Sequence, residues 1–146
     1  MDVTSIFDVS AAGMNLERMR LEVSAANLAN ANTTRGADGL AYTPQQVVAR
    51  STAPSFEALF QGFGGDSLAG AVPVGQVQTA DLAPRQVYDP SHPDADARGF
   101  VSYPGVNPVS EMVNLIGITR AYEANVRAFN AGRNMLLKAL EIGSGR

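Results

Sequence analysis

Four side chains able to do acid–base or metal chemistry fall close together: Asp89, His92, Asp94 and Asp96. Carboxylates one residue apart with an imidazole beside them are raw material for a cation site or for general acid–base work. Placing Asp94 first in a calcium loop puts Asp96 third and Gly99 sixth, as such a loop needs. It also puts Arg98 fifth and Gly105 twelfth, where a ligand and a bidentate Glu belong. Pro90 and Pro93 pin the same stretch, and Asp in such turns caps backbone amides. The segment is therefore read as a capped turn. A metal-dependent enzyme built on it is the alternative from a different class, and it would require these groups to gather around a pocket. Gly62-Phe-Gly64-Gly65 lacks the Lys-Ser/Thr ending of a phosphate loop and is read as a plain loop.

Little else in the chain can do chemistry. It has no Cys and one His, which excludes zinc fingers, thiol catalysis and disulfide scaffolds. No catalytic residue, metal or cofactor is expected. At 146 residues and 45% apolar, the chain has the size and composition of one folded domain. Only 17% of residues are charged, below the roughly 25% of an average soluble domain, so much of the exterior is expected to face other protein. A net charge of -3 argues against a partner that demands many phosphate contacts.

The elements that would carry these residues divide the chain into two ends and a middle. Pro and Gly are concentrated between 36 and 105, which predicts a helix over 4–31, an irregular β-containing middle and a helix over 108–142. In the first helix Val9, Ala12, Leu16, Met19, Val23 and Ala26 recur at alternating spacings of three and four, a heptad seam. Phe7, Met14, Leu21 and Leu28 form a second row. The helix is expected to start at Thr4 or Ser5, with Asp8 completing a capping-box-like pattern. The second helix should open at Asn107-Pro108 and stop at Gly143. Its seam is Met112, Leu115, Thr119, Tyr122, Val126, Phe129, Arg133, Leu136 and Leu140. Val109, Val113, Ile116, Ala124, Ala131, Met135, Ala139 and Ile142 make a further apolar face. Pairing the two ends covers one seam on each helix, so the second faces call for other subunits. Asn27 and Asn30, poor helix formers in an apolar row, are residues that can fix register and partner choice.

The fold expected is mainly α with a small β-rich middle. Residues 1–33 and 107–146 supply paired terminal helices that form a coiled coil, and 34–106 supply an irregular outer region. Strands are predicted at Ala41–Arg50, Ala71–Thr79, Pro84–Tyr88 and Gly99–Tyr103. Arg120, Arg127, Arg133 and Lys138 interleave with Glu111, Glu123 and Glu141, which reads as a salt-bridged contact face rather than a membrane-binding one. The opening residues lack the basic and apolar regions of a cleaved secretory signal. No apolar run approaches the 18 or so residues that span a bilayer.

Two stretches carry a family resemblance. Ala26-Asn-Leu-Ala-Asn30-Ala-Asn32-Thr33 and Arg120-Ala-Tyr122-Glu123-Ala-Asn125 resemble the paired terminal signatures of bacterial flagellar axial proteins. His92-Pro93-Asp94-Ala-Asp96, Gly99-Phe-Val101, Pro104-Gly-Val-Asn107 and Glu111-Met-Val-Asn-Leu115 are similar to the proximal-rod members of that family. The match covers about 4–35 and 84–142, in order. Where the family has a Tyr followed by basic residues, this chain has Tyr42-Thr-Pro44-Gln-Gln, and 50–83 has no evident counterpart.

The resemblance implies a non-enzymatic subunit that travels through the flagellar type III export apparatus and stacks helically into the hollow periplasmic rod. Its helices would line an inner tube. Implied partners are its own copies, other proximal- and distal-rod proteins, the rod adaptor FliE and the membrane ring. Neither nucleic acid nor membrane insertion is implied. Another rod or hook member of the family is the nearest alternative.

Overall fold

The structure is a computed structural model that describes residues 3–36, 38–51 and 73–143. In chain order it comprises helix α1 (Val3–Ala29), strands β1 (Gln45–Ser51), β2 (Pro73–Thr79), β3 (Arg85–Tyr88) and β4 (Phe100–Tyr103), and helix α2 (Pro108–Gly143). β1 pairs with β2, and β3 with β4, as separate two-stranded sheets. The protein is thus mainly α, with small sheets between two long terminal helices. The Gln61–Gly65 loop, Ala71 and Val72 of the second predicted strand, and residues 52–72 generally lie outside the described residues.

Local chemistry fixes the start of α2 and the end of α1. At the start of α2 the Asn107 side-chain oxygen accepts hydrogen bonds from the Val109 and Ser110 amides at 3.0 and 3.3 Å. Pro108 occupies the first helical position, where a missing N–H costs nothing. At the end of α1 the Asn30 side-chain amide donates to the Ala26 carbonyl at 2.9 Å, and its oxygen accepts from the Thr33 hydroxyl at 3.2 Å. α1 begins at Val3, just before the expected Thr4 or Ser5. The Ser5 side chain lies outside the described set.

Contacts divide the chain into two units. The first holds Met1–Met19, Ala49–Gln76 and Thr119–Arg146; the second holds Arg20–Val48 and Val77–Ile118. In the first unit the helices run antiparallel and approach closely. The Phe7 and Phe129 rings meet edge to face with centroids 4.9 Å apart. A Cβ on Gly13 would lie 2.9 Å from the Asn125 amide, and one on Gly132 would lie 3.2 Å from Ile6 Cγ2. Glycine inside a helix costs about 1 kcal/mol relative to Ala, and here it permits the approach.

The second unit is centred on the β3–β4 hairpin, whose antiparallel register pairs Arg85 with Tyr103 and Tyr88 with Phe100. Val101 and Pro104 are fully buried. Gly105 passes so near the Ala83 carbonyl that a Cβ would sit 2.5 Å from its oxygen. Gly99, at the hairpin turn, has a φ of +82°.

Close packing within the chain runs along a narrower strip than the heptad seams. On α1 the buried positions include Ser10, Leu16, Glu17, Val23, Ser24 and Asn27, while Val9 is exposed and Met19 half-buried. On α2 Gly132 is buried. Glu111, Leu115, Ile118, Asn125, Val126, Phe129 and Leu136 are half-buried, whereas Met112, Tyr122 and Leu140 are exposed. Relative to the expected seam, the inner strip shifts by one residue at Glu111, Ile118, Asn125 and Gly132. At Gly132 the missing side chain leaves room for Ile6, which Arg133 would hold off.

Candidate functional site

The Asp89–Asp96 segment is the first place to look for chemistry, and its carboxylates are occupied with backbone. Asp89 accepts from the Ser91 hydroxyl at 2.7 Å and from the Ser91 amide at 3.1 Å. Asp96 accepts from the Arg98 and Phe100 amides at 2.8 and 2.9 Å. These hydrogen bonds hold both carboxyls below the usual Asp range. His92 Nδ1 accepts from the Asp94 amide at 3.1 Å, with its ring 6.3 Å from that of Tyr103. Pro93 is exposed. Asp94 points elsewhere: it accepts from the Thr34 hydroxyl at 2.8 Å and pairs with Arg35 at 2.9 Å. Among the described residues no group of three His, Cys, Asp or Glu side chains is arranged to hold a metal.

These contacts converge on the end of α1. Ser24 donates to the Glu111 carboxylate at the start of α2. Asn27, only 4% exposed, uses both the oxygen and the nitrogen of its side-chain amide. Its oxygen accepts from the Tyr42 hydroxyl and from the Gln45 amide, both at 2.9 Å, and its nitrogen donates to the Gln45 carbonyl at 2.7 Å. Burial, and secondarily the charge of Glu111, pushes the Tyr42 hydroxyl up from its ordinary value. Thr34 and Arg35 then reach Asp94 of the hairpin. Residues 24–35 thus join α2, the start of β1 and the β3–β4 turn within the second unit.

Of the remaining motif residues, Asn32 and Arg120 are exposed. Glu123 pairs with Arg127 one turn on, at 3.4 Å. Asn125 packs over Gly13. Ser24, Thr34, Arg35, Gln45 and the two helical glycines are contact residues beyond those expected from the sequence. Gly13 and Gly132 carried a usable signal, since glycine in a helix interior calls for a reason. Ser24 and Gln45 carried none, because one-residue patterning does not say which polar group will be buried.

What the fold leaves uncovered is apolar. On the second unit's part of α2, Val109, Met112, Val113 and Ile116 follow i, i+3, i+4, i+7 spacing and each is more than half exposed. On the first unit's part, Met135, Leu140 and Ile142 are exposed, with Ile142 at 83%. Val109, Val113, Ile116, Ala124, Ala131, Met135, Ala139 and Ile142, the further face read from the sequence, are all exposed. Among the described residues no helix is long and apolar enough to cross a membrane. An apolar row at helical spacing on a polar-backed helix suits burial against another helix.

Comparison with known proteins gives the family. Residues 7–37 match the family model described as flagella basal body rod protein, and residues 97–142 match the one described as flagellar basal body rod FlgEFG protein C-terminal. The chain is 41% identical to the flagellar basal-body rod protein FlgC of Bacillus subtilis over 142 residues, covering 93% of this chain and 95% of that one. It is 37% identical to FlgC of Escherichia coli O157:H7 over 143 residues, covering 98% and 99%. FlgC of Borreliella burgdorferi is 33% identical over 152 residues, covering 99% and 100%. These alignments span the 50–83 stretch that the motifs left without a counterpart. The end-of-α1 junction and the bare helix faces therefore sit in a chain that belongs to the FlgC family of flagellar basal-body rod proteins, a structural and non-enzymatic family.

Proposed function

We propose that this chain works as a subunit of the proximal rod, polymerising helically with its own copies and with other rod proteins into a hollow drive shaft that transmits torque. The observation that carries the reading is the exposed row Val109, Met112, Val113 and Ile116 on α2. Each of these side chains, more than half exposed, forgoes roughly 1–2 kcal/mol of further burial, so the row is a surface made to be covered. Val9, Met112, Tyr122 and Leu140, seam residues that stay exposed in the single chain, are assigned to neighbouring subunits in the same way. Leu16, Met19, Val23, Leu115, Val126, Phe129 and Leu136 hold the helices together beneath them.

In this reading the paired helices, 1–33 and 107–146, line the inner tube and 34–106 face outward. The rod adaptor FliE, the membrane ring and the distal rod are contacts, and the rod stands in the periplasmic space. The subunit reaches it through the type III export apparatus.

Deletion of the gene with complementation tests the proposal. Cells without the chain are expected to show basal-body rings but no rod by electron microscopy, and no swimming. Wild type restores both. Tyr122→Asp and Ile116→Asp, present at normal levels, are expected not to. Normal rods in the deletion, or full rescue by both Asp variants, would refute the role given to these faces.

A further inference from the structure

We propose that Asn27 is a positioning residue: its side-chain amide reads the backbone of Gln45 and so fixes where the chain resumes as β1 after α1. The geometry is that of one strand residue pairing with another. A strand residue offers a neighbour one acceptor and one donor, and Asn27 offers Gln45 both, at 2.9 and 2.7 Å. The same oxygen also accepts from Tyr42 at 2.9 Å, so three groups are satisfied by one amide. Only Asn has that donor and acceptor at that length. Ala supplies neither, Asp lacks the donor, and Gln is a methylene too long.

Register matters here because side chains alternate along a strand. A slip of one residue at Gln45 would exchange the faces presented by Gln46, Val47 and Val48. Val47 and Val48 are half-buried, whereas Gln45 and Gln46 are exposed. A slip that carried Val47 into the exposed place of Gln46 would uncover it, so the junction decides whether Val47 is covered.

The sharpest test is the full-length Asn27→Asp variant followed by amide exchange and by stability against pH. At neutral pH its carboxylate can accept from Tyr42 and from the Gln45 N–H but faces the Gln45 carbonyl without a proton. Repulsion between that carboxylate and the Gln45 carbonyl favours opening of the junction, so exchange at the Gln45 amide is expected to rise about tenfold or more over wild type, with helical circular dichroism retained. Burial, and the bond that only the acid form can donate to the Gln45 carbonyl, raise the folded-state pKa of the new Asp above its unfolded value and outweigh the two bonds its carboxylate accepts. The destabilisation is therefore full above the folded pKa and disappears as pH falls through it, when the acid form regains a donor.

The charged and titratable groups nearby are Tyr42 on the segment before β1 and Glu111 at the start of α2. Both are present in wild type, so the variant-minus-wild-type profile isolates position 27. Tyr42→Phe, which removes one of the three bonds, is expected to leave Gln45 protected. Wild-type-like exchange in Asn27→Asp, a difference profile flat with pH, or an unprotected Gln45 in wild type would each overturn the proposal. These readouts do not depend on rod assembly. Failed swimming with intact Gln45 protection would instead count against the assembly reading alone.

Discussion

The two units solve the same problem, holding a pair of helix segments together, by different means. In the second, polar side chains reach from one segment to fixed groups on another: Ser24 to Glu111, Asn27 to Gln45, and Thr34 and Arg35 to Asp94. The same unit fully buries Val101 and Pro104. In the first, the helices approach at Gly13 and Gly132 and meet through Phe7 and Phe129. Directional bonds define one arrangement and penalise others, because a buried polar group without its partner costs about 1–3 kcal/mol. Glycine contact and aromatic packing tolerate small sliding. The difference suits a subunit with one defined junction and helix segments that adjust against neighbours.

Backbone approach gives the largest expected contrast. Gly105→Ala in the second unit would place a Cβ 2.5 Å from the Ala83 carbonyl oxygen, and backbone cannot step aside. A loss of about 3 kcal/mol is expected, at the upper end for overpacking. Gly132→Ala in the first unit meets only the Ile6 methyl at 3.2 Å and should cost about 1 kcal/mol or less. Thermal unfolding of the two variants checks the ranking. Equal losses would mean that the units are not built on different terms.

Phe129→Ala comes next. The residue is half-buried against Phe7, so the loss should be about 2 kcal/mol, below the 3–5 typical of a fully buried Phe. Asp94→Ala removes the Thr34 bond and the Arg35 pair. Because the Arg35 side chain is 64% exposed, solvent screens that pair, and about 1 kcal/mol is expected. Asn107→Ala, which uncaps α2, should also cost about 1 kcal/mol. Chemical denaturation of the three, with hydrogen exchange to place the opening, tells whether each loss stays within its own unit.

The contrast also explains what could be read from the chain beforehand. Asn107-Pro108, Gly143 and the clustering of Pro and Gly placed both helices within a residue or two, because caps and breakers act locally. The strands were located to within four residues for the same reason. The Asp89–Asp96 turn was legible as a set of caps, since short Asp side chains reach amides two to four residues away. Long-range partners were not. Heptad spacing names a face but leaves its rotation free by about one residue, and the choice of Gly132 over Arg133 depends on the opposing Ile6. Likewise Asn27 could be noticed as out of place, yet its partner Gln45 lies across a turn whose path no local rule specifies.

The smallest effect expected is acidification acting on one unit before the other. Asp89 and Asp96 are held below the usual Asp range, first by hydrogen bonds from Ser91 and from the Phe100 amide respectively. A carboxyl with a depressed folded-state pKa contributes stability above its unfolded value, near 3.9, and that contribution disappears as pH falls through the folded value. Both groups cap the β3–β4 turn, which lies wholly in the second unit. Below the ordinary Asp range, exchange should therefore quicken at the amides they accept from, those of Ser91, Arg98 and Phe100. The amides of α2 beside Phe129 should change less over the same interval. Uniform quickening along the chain would show that the caps stabilise the whole fold rather than the turn, and the directional bonds of the second unit would then be no more local than the glycine contacts of the first.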